Sequence, residues 1–435
     1  MILPALKTLL TVALVAMPNF PTPTATGKDG LKLSVHTDRP EHIYSLGDTA
    51  SFTVEIEGLS GRAELGYRFT MEKASLVKEG MVEVSNGRSE LKGTLVSPGF
   101  LRLDLALAQG SDTLRVAESA GFSPLSIRPT GALPSDYERF WRHGRAELLR
   151  IPMDARVEQK TDKDNGGLRH YLVSLANVDN SRIYGRLTVP AGEGPFPAVV
   201  HLPGAAGGIN EFYTGSGKGY AEKGMLALVL NIHGIPLGLE REYYQNLRAQ
   251  GIIAGFPAQG ADDPYHYYYR RVVLGGVRAI DYLVSRPDVD ASRLAVAGGS
   301  QGGGLSLLLV SIDNRAQALA LHVPAMCDQN GVFFGRPTGW PHLLERYDSP
   351  AVRRTASYFD GATAAGLIDV PALVSVSLLD EACPPTTVYS AYNNLRGPKR
   401  IDVFPGVTHP GSFTGPRSKI MSDWLSKTLE AETEH

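Results

Sequence analysis

The sequence predicts a small all-β sandwich of immunoglobulin-like type followed by an α/β unit on a mostly parallel sheet. Three observations carry that prediction. Residues 31 to 128 consist of short alternating runs such as "LKLSVH", "TASFTVEIE", "MVEVS" and "FLRLDLAL", broken by Gly, Asn, Asp and Ser. Period-two alternation marks antiparallel strands with one buried face. Beyond about Thr161 the runs "PAVVHLP", "MLALVLNI", "RLAVAGG", "LALHV" and "PALVSVSLL" are apolar throughout and alternate with helical segments. Strands buried on both faces of a parallel sheet read this way. Between one such run and a helical pattern lies "LAVAGGSQGGGLSLLLV", residues 294–310, in which five glycines flank Ser300 and Gln301.

Taken in order, residues 1–27 hold one lysine, an apolar run from Thr8 to Met17, then a Pro/Thr-rich stretch with small residues near Ala25. That run is too short to span a bilayer, so the segment is expected to be a secretory signal peptide and leader. Secretion or a periplasmic location follows, with no membrane span after its removal. Residues 28–128 form the expected sandwich. Residues 129–160 are a connector containing "YERFWRHGRAELLR", a helix opened by Pro-Ser-Asp, and residues 161–435 are the α/β unit. Lys and Arg number 43 against 45 Asp and Glu, a net charge of -2 with no long run of either sign. Nothing there attracts a phosphate backbone, and nucleic acid is not an expected partner.

The glycine-framed serine carries the chemistry. Gly298, Ser300 and Gly302 satisfy G-x-S-x-G, a turn from strand to helix so sharp that the flanking residues must lack side chains. The lysine of a phosphate-binding loop is missing, which argues against a nucleotide. In this arrangement the N–H of Gln301 lies in the first helical turn, where free donors and the positive dipole end can hold an oxyanion.

A serine needs a base, and the base needs a carboxylate to orient it. In the α/β-hydrolase fold these follow in the order Ser, Asp, His, on loops after later strands. "PALVSVSLLDEACPP" leaves a strand at Asp380, with Glu381 as the rival acid, and "IDVFPGVTHPGSF" leaves the next at His409. A second oxyanion donor is expected in the turn after "PAVVHLP", and Ala205 is the residue chosen.

These residues resemble the acetyl xylan esterase and cephalosporin C deacetylase group, carbohydrate esterase family seven. The resemblance rests on "YYYRRVVLGGVRAIDYL" (267–283), "GGSQGGGL" (298–305), "SYFD" (357–360) and "LLDEACPPTTVYSAYNNL" (378–395), in the family's order. It implies a Ser-His-Asp esterase that takes acetyl groups from sugar hydroxyls and requires no metal or other cofactor. Ser300 is similar to the family's nucleophile, His409 to its base, Asp380 to its acid, and Gln301 to an oxyanion donor. Ala205 stands where the family has a tyrosine whose backbone N–H completes the oxyanion hole. Two departures mark a divergent member: "IHGIP" replaces an Arg-Gly-Gln segment, putting His233 in the arginine's place, and Pro410 follows His409 where the family has glutamate.

Around that core, Trp340 in "RPTGWPHLLERY" is a candidate for stacking on a sugar ring. His233 and Tyr243, from the insertion "HGIPLGLEREYYQNLRAQGIIAGFPAQGADDP", are candidates for a further wall of the site. Tyr267, Tyr268 and Tyr269 open a helix and read as packing. The histidines are scattered without an H-E-x-x-H pattern, so no metal site is expected. Cys327 and Cys383 follow neighbouring strands, and an exported protein could join them in a disulfide or leave two thiols. A serine peptidase of the prolyl oligopeptidase type is one alternative reading, but its β propeller needs far more residues than precede Thr161. A glycan-binding protein with a vestigial hydrolase unit is the other, and the ordered Ser300, Asp380 and His409 argue against it.

Overall fold

The computed structural model describes residues 13–16, 22–27, 30–160, 166–205, 217–414 and 417–430. After a short first strand, β1 (Ala13–Ala16), the alternating region forms β2 (Thr24–Thr26), β3 (Lys32–Thr37), β4 (Ile43–Tyr44), β5 (Ala50–Glu57), β6 (Arg62–Met71), β7 (Ser75–Ser85), β8 (Arg88–Gly93), β9 (Gly99–Gln109) and β10 (Asp112–Phe122). Strands β2 to β10 make one sheet in the order β2-β3-β5-β8-β7-β6-β9-β10-β4. Phe52 on β5 and Phe69 on β6 stand three strands apart in that order, yet their rings lie 5.4 Å from one another. Adjacent strands alone are nearly that far apart, so the sheet must fold over on itself. The fold comes at the β7–β8 turn, and the two leaves enclose Leu33, Val35 and Val54 with Leu103 and Leu105.

The second sheet adds β11 (Arg156–Lys160), β12 (Arg169–Ala176), β13 (Arg182–Val189), β14 (Phe196–Leu202), β15 (Leu226–Asn231), β16 (Val289–Gly299), β17 (Ala318–His322), β18 (Ala372–Ser377) and β19 (Lys399–Phe404). Its order is β1-β19-β18-β17-β16-β14-β15-β13-β12-β11, parallel from β19 through β15 and antiparallel beyond. The sheet therefore takes in Arg156–Lys160, within the stretch read as connector. It also takes in Ala13–Ala16 of the stretch read as a signal peptide, with Ala13 opposite Arg400 on β19. The remainder of that apolar run lies outside the described residues.

The helices are α1 (Tyr137–Leu149), α2 (Lys218–Ala221), α3 (Arg241–Ala249), α4 (Tyr268–Val284), α5 (Gln301–Ile312), α6 (Leu343–Arg346), α7 (Pro350–Tyr358), α8 (Gly361–Ala364), α9 (Pro385–Asn394), α10 (His409–Ser412) and α11 (Arg417–Glu430). Alternation inside the apolar strands decides which helix packs where. Ala295, Ala297, Ala318 and Ala320 face Met421, Leu425 and Leu429 of α11, and alanine floors let that helix sit close. The intervening Leu294, Val296, Leu319 and Leu321 face the larger core that holds α4, α5 and Trp141 of α1. Among the described residues no helix is long and apolar enough to cross a membrane.

Neighbours β14 and β16 send the chain to opposite sides of the sheet, since β15 lies beyond β14 and β17 beyond β16. Such a switch point opens a crevice at the strands' carboxyl ends, where open α/β sheets bind their ligands.

Candidate active site

Ser300 sits at that crevice, after β16 and before α5, with φ 53° and ψ -124°. A serine in this region costs about 1–3 kcal/mol, and it persists only where the surroundings dictate it. Here they do: Ser300 N donates to His322 O at 2.8 Å, and the Ser300 carbonyl accepts from Gly303 N and Ala325 N, each at 2.9 Å. The glycines are steric requirements. A Cβ on Gly302 would lie 1.9 Å from Leu202 O, and one on Gly298 would lie 2.3 Å from Gly302 O.

Strands β18 and β19 deliver the two partners. Ser300 Oγ lies 3.0 Å from His409 Nε2, and His409 Nδ1 lies 2.7 Å from Asp380 Oδ2. The buried Asp380 carboxylate accepts from Ala382 N at 2.9 Å and Cys383 N at 2.8 Å through its other oxygen. These bonds fix the carboxylate's orientation. An ionised Asp380 then places the imidazole proton on Nδ1 and leaves Nε2 free to take the proton of Ser300. Glu381, the rival acid, points away to Lys73 Nζ at 2.7 Å and Arg102 Nη1 at 3.1 Å.

Gln301 begins α5, so its N–H is one of the free donors of the first turn. The turn after β14 comes alongside, since a Cβ on Gly204 would stand 3.7 Å from Ser300 Cβ, and Ala205 is the next residue. Gln301's side chain fastens the two donor segments to the core. Tyr269 OH donates to its Oε1 at 2.9 Å, and its Nε2 donates to Pro203 O at 3.4 Å. Tyr269 is thus more than packing.

The outer candidates divide. His233 is buried, with Nδ1 2.5 Å from Tyr268 OH and its ring edge-on to Phe256 at 4.8 Å. Burial, with Arg271 nearby, brings its pKa down to about 4, so the ring is neutral. Trp340 is half-buried, 6.1 Å from Phe256, and its backbone N donates to Ala382 O at 2.7 Å, clipping the loop that follows Asp380. Tyr243 is 38% exposed on α3 and stacks edge-on with Tyr244. No described contact brings Tyr243 to Ser300. Pro410 sits in the first turn of α10, whose N-cap is Thr408.

One neighbour of His409 went unread in the sequence, and Cys383 was read only as a possible disulfide partner. Phe413, 52% exposed, sets its ring 5.3 Å from that of His409, and Cys383 Sγ lies 4.0 Å from Ser300 Oγ. Phe413 could have been found as the i+4 neighbour of His409. Cys327 and Cys383 are both free, buried thiols, so the disulfide is not formed. Burial holds both pKa values well above the ordinary thiol value. Asp380, Cys383 and His409 each offer a ligand atom within 4.8 Å of the others, but the Asp380 and His409 atoms are already engaged with one another.

A serine at a strand-to-helix turn, with a buried carboxylate and an imidazole after two later strands, belongs to the α/β-hydrolase class of esterases. The model of the acetyl xylan esterase family matches residues 125–428, and the chain belongs to that family and is a carboxylic ester hydrolase. It is 31% identical over 401 residues to the acetyl esterase Axe7A of Xylanibacter ruminicola, covering 90% of each chain. That match leaves a tenth of the chain unaligned and so takes in most of the N-terminal sheet. The acetyl xylan esterase of Paenibacillus sp. R4 superposes with a TM-score of 0.60 at 31% identity, over 71% of this chain and 98% of that one. Acetyl xylan esterase 1 of Thermoanaerobacterium sp. JW/SL YS485 shares the fold, with a TM-score of 0.58 at 21% identity, over 71% and 98% of the two chains.

Proposed function

We propose that this chain is an exported serine esterase that removes acetyl groups from carbohydrate esters such as acetylated xylan or xylo-oligosaccharides. The observation that carries it is the continuous hydrogen-bonded series from Ser300 through His409 to Asp380. In this reading Ser300 Oγ attacks the acetyl carbonyl while its proton passes to His409 Nε2. The N–H groups of Gln301 and Ala205 receive the oxyanion. The tetrahedral adduct expels the sugar oxygen, which takes the proton from His409 and leaves as a hydroxyl. Water then attacks the acetyl-Ser300 carbonyl, giving its proton to His409, and acetate departs as that proton returns to Ser300 Oγ.

Export rests on the leader read in residues 1–27, the N-terminal folded-over sheet is read as an immunoglobulin-like sandwich, and the sugar preference rests on the family. Phe413 packs on the His409 ring and Trp340 on the loop after Asp380, and these are the aromatic surfaces this reading offers to a sugar ring, whereas the neutral His233 is bonded to Tyr268. The test is acetate release from acetylated xylo-oligosaccharides, with p-nitrophenyl acetate and butyrate as size probes. Ser300→Ala is expected to lose about three or more orders of magnitude in kcat, with acetate preferred by the parent enzyme. Equal turnover in both proteins would sink the nucleophile assignment, and a preference for butyrate would remove the acetyl specificity.

A further inference from the structure

The hairpin of β6 and β7 ends in the turn Met71–Ala74, closed by a bond from Ala74 N to Met71 O at 2.8 Å. Its central residues, Glu72 and Lys73, have φ of 46° and 66°. A turn with two such residues suits Asn and Gly and strains ordinary side chains. Glu and Lys are held there nonetheless, and both side chains reach out of their own sheet.

They reach the loop that carries Asp380. The Glu72 carboxylate accepts from Thr386 N at 2.8 Å and from Thr386 Oγ1. Lys73 and the buried Arg102 of β9 both hold Glu381, the residue after Asp380. The chemistry of α9 explains why Glu72 is needed. Its N-cap, Pro384, has no side-chain acceptor, and Pro385 has no N–H, so Thr386 N is the first donor the helix exposes. A carboxyl oxygen from the other sheet fills the capping role. Phe100 of β9 presses on the same helix, its ring 5.4 Å from that of Tyr389.

We propose that the β6–β7 hairpin is a positioning element of the active site: Glu72, with Lys73 and Arg102, holds segment 380–386 at both ends so that Asp380 stays aligned on His409. This rests on the catalytic reading above.

The test compares the full-length chain with Glu72→Ala, Glu72→Gln and Thr386→Val on p-nitrophenyl acetate. Three further readouts accompany kcat: KM, the thermal midpoint, and the low-field proton resonance of the His409–Asp380 hydrogen bond. Glu72→Ala is expected to lower kcat by between about 10-fold and 100-fold with KM nearly unchanged, and to broaden that resonance. Glu72→Gln retains an oxygen acceptor for Thr386 N and should recover most of kcat. A merely structural contact would lower the thermal midpoint and leave kcat and the resonance of the folded enzyme alone. That outcome overturns the proposal, as does a loss confined to KM. If Glu72→Ala does not fold, Thr386→Val carries the same comparison, with a smaller loss of kcat expected and wild-type kcat overturning the proposal. Ser300→Ala run alongside separates the two readings. Surviving turnover there removes the catalytic assignment, whereas a dead Ser300→Ala beside a fully active Glu72→Ala removes only the positioning role.

Discussion

The turn at Ser300 and the loop at Asp380 supply two members of one hydrogen-bonded set, yet they are held in different ways. Ser300 is clamped by its own neighbourhood: glycines at 298 and 302 allow backbone to meet backbone, and its N–H and carbonyl bond to residues within 25 positions of it. Asp380 is held by two N–H groups of its own loop, but that loop is gripped from outside by Glu72, Lys73 and Arg102, about 300 residues earlier in the chain. The contrast teaches that the Ser300 turn is held by backbone pressed against backbone, while the loop bearing Asp380 is gripped by side chains from the other sheet.

The comparison can be broken most directly at the acid. Asp380→Asn should lower kcat by about four orders of magnitude, because the amide offers His409 the wrong tautomer, while Glu381→Gln should lose less than about tenfold. Both are read from p-nitrophenyl acetate turnover, and the reverse ranking would make Glu381 the acid. At the serine, Gly302→Ala forces a Cβ to within 1.9 Å of Leu202 O. The backbone must move, and a loss of about three orders of magnitude in kcat is expected; retained activity would show that the close approach of β14 to the turn is not required.

A smaller effect sharpens the local side. Tyr269→Phe removes the donor to buried Gln301 Oε1 and should destabilise the fold by about 1–3 kcal/mol in urea titration. The smallest effect tests the grip on the acid loop. Burial, opposed by the Thr386 bonds, pushes the Glu72 carboxyl up from 4.5 to about 7. Its contribution to stability is therefore full below about pH 4.5, where both folded and unfolded states are protonated, and is lost as pH rises toward 7. Glu72→Gln cannot titrate, so its thermal midpoint should decline less than the parent's between those pH values. Parallel midpoint curves would show that Glu72 is not charged against a buried surface.

How much of this was legible follows the same division. Ser300, Asp380 and His409 could be named because each leaves an apolar strand at its carboxyl end, and a parallel sheet brings those ends together. Gln301 and the turn bearing Ala205 were legible for the same reason. Tyr243 was chosen from an insertion with no strand to aim it, and it lies exposed on α3. His233 was chosen by its place in the family pattern; burial leaves it neutral, bonded to Tyr268 rather than to the serine. The cysteines follow neighbouring strands as read, but their buried thiols stay apart.

The sequence by itself determined the parallel sheet, the elbow at Ser300 and the order of Ser300, Asp380 and His409, because periodicity and glycine placement are written over a few residues. Only the tertiary structure decided what grips the loop after Asp380 and what caps α9. Those contacts join side chains far apart in the chain, and their partners are chosen by how two sheets pack, which no local pattern of apolar residues encodes.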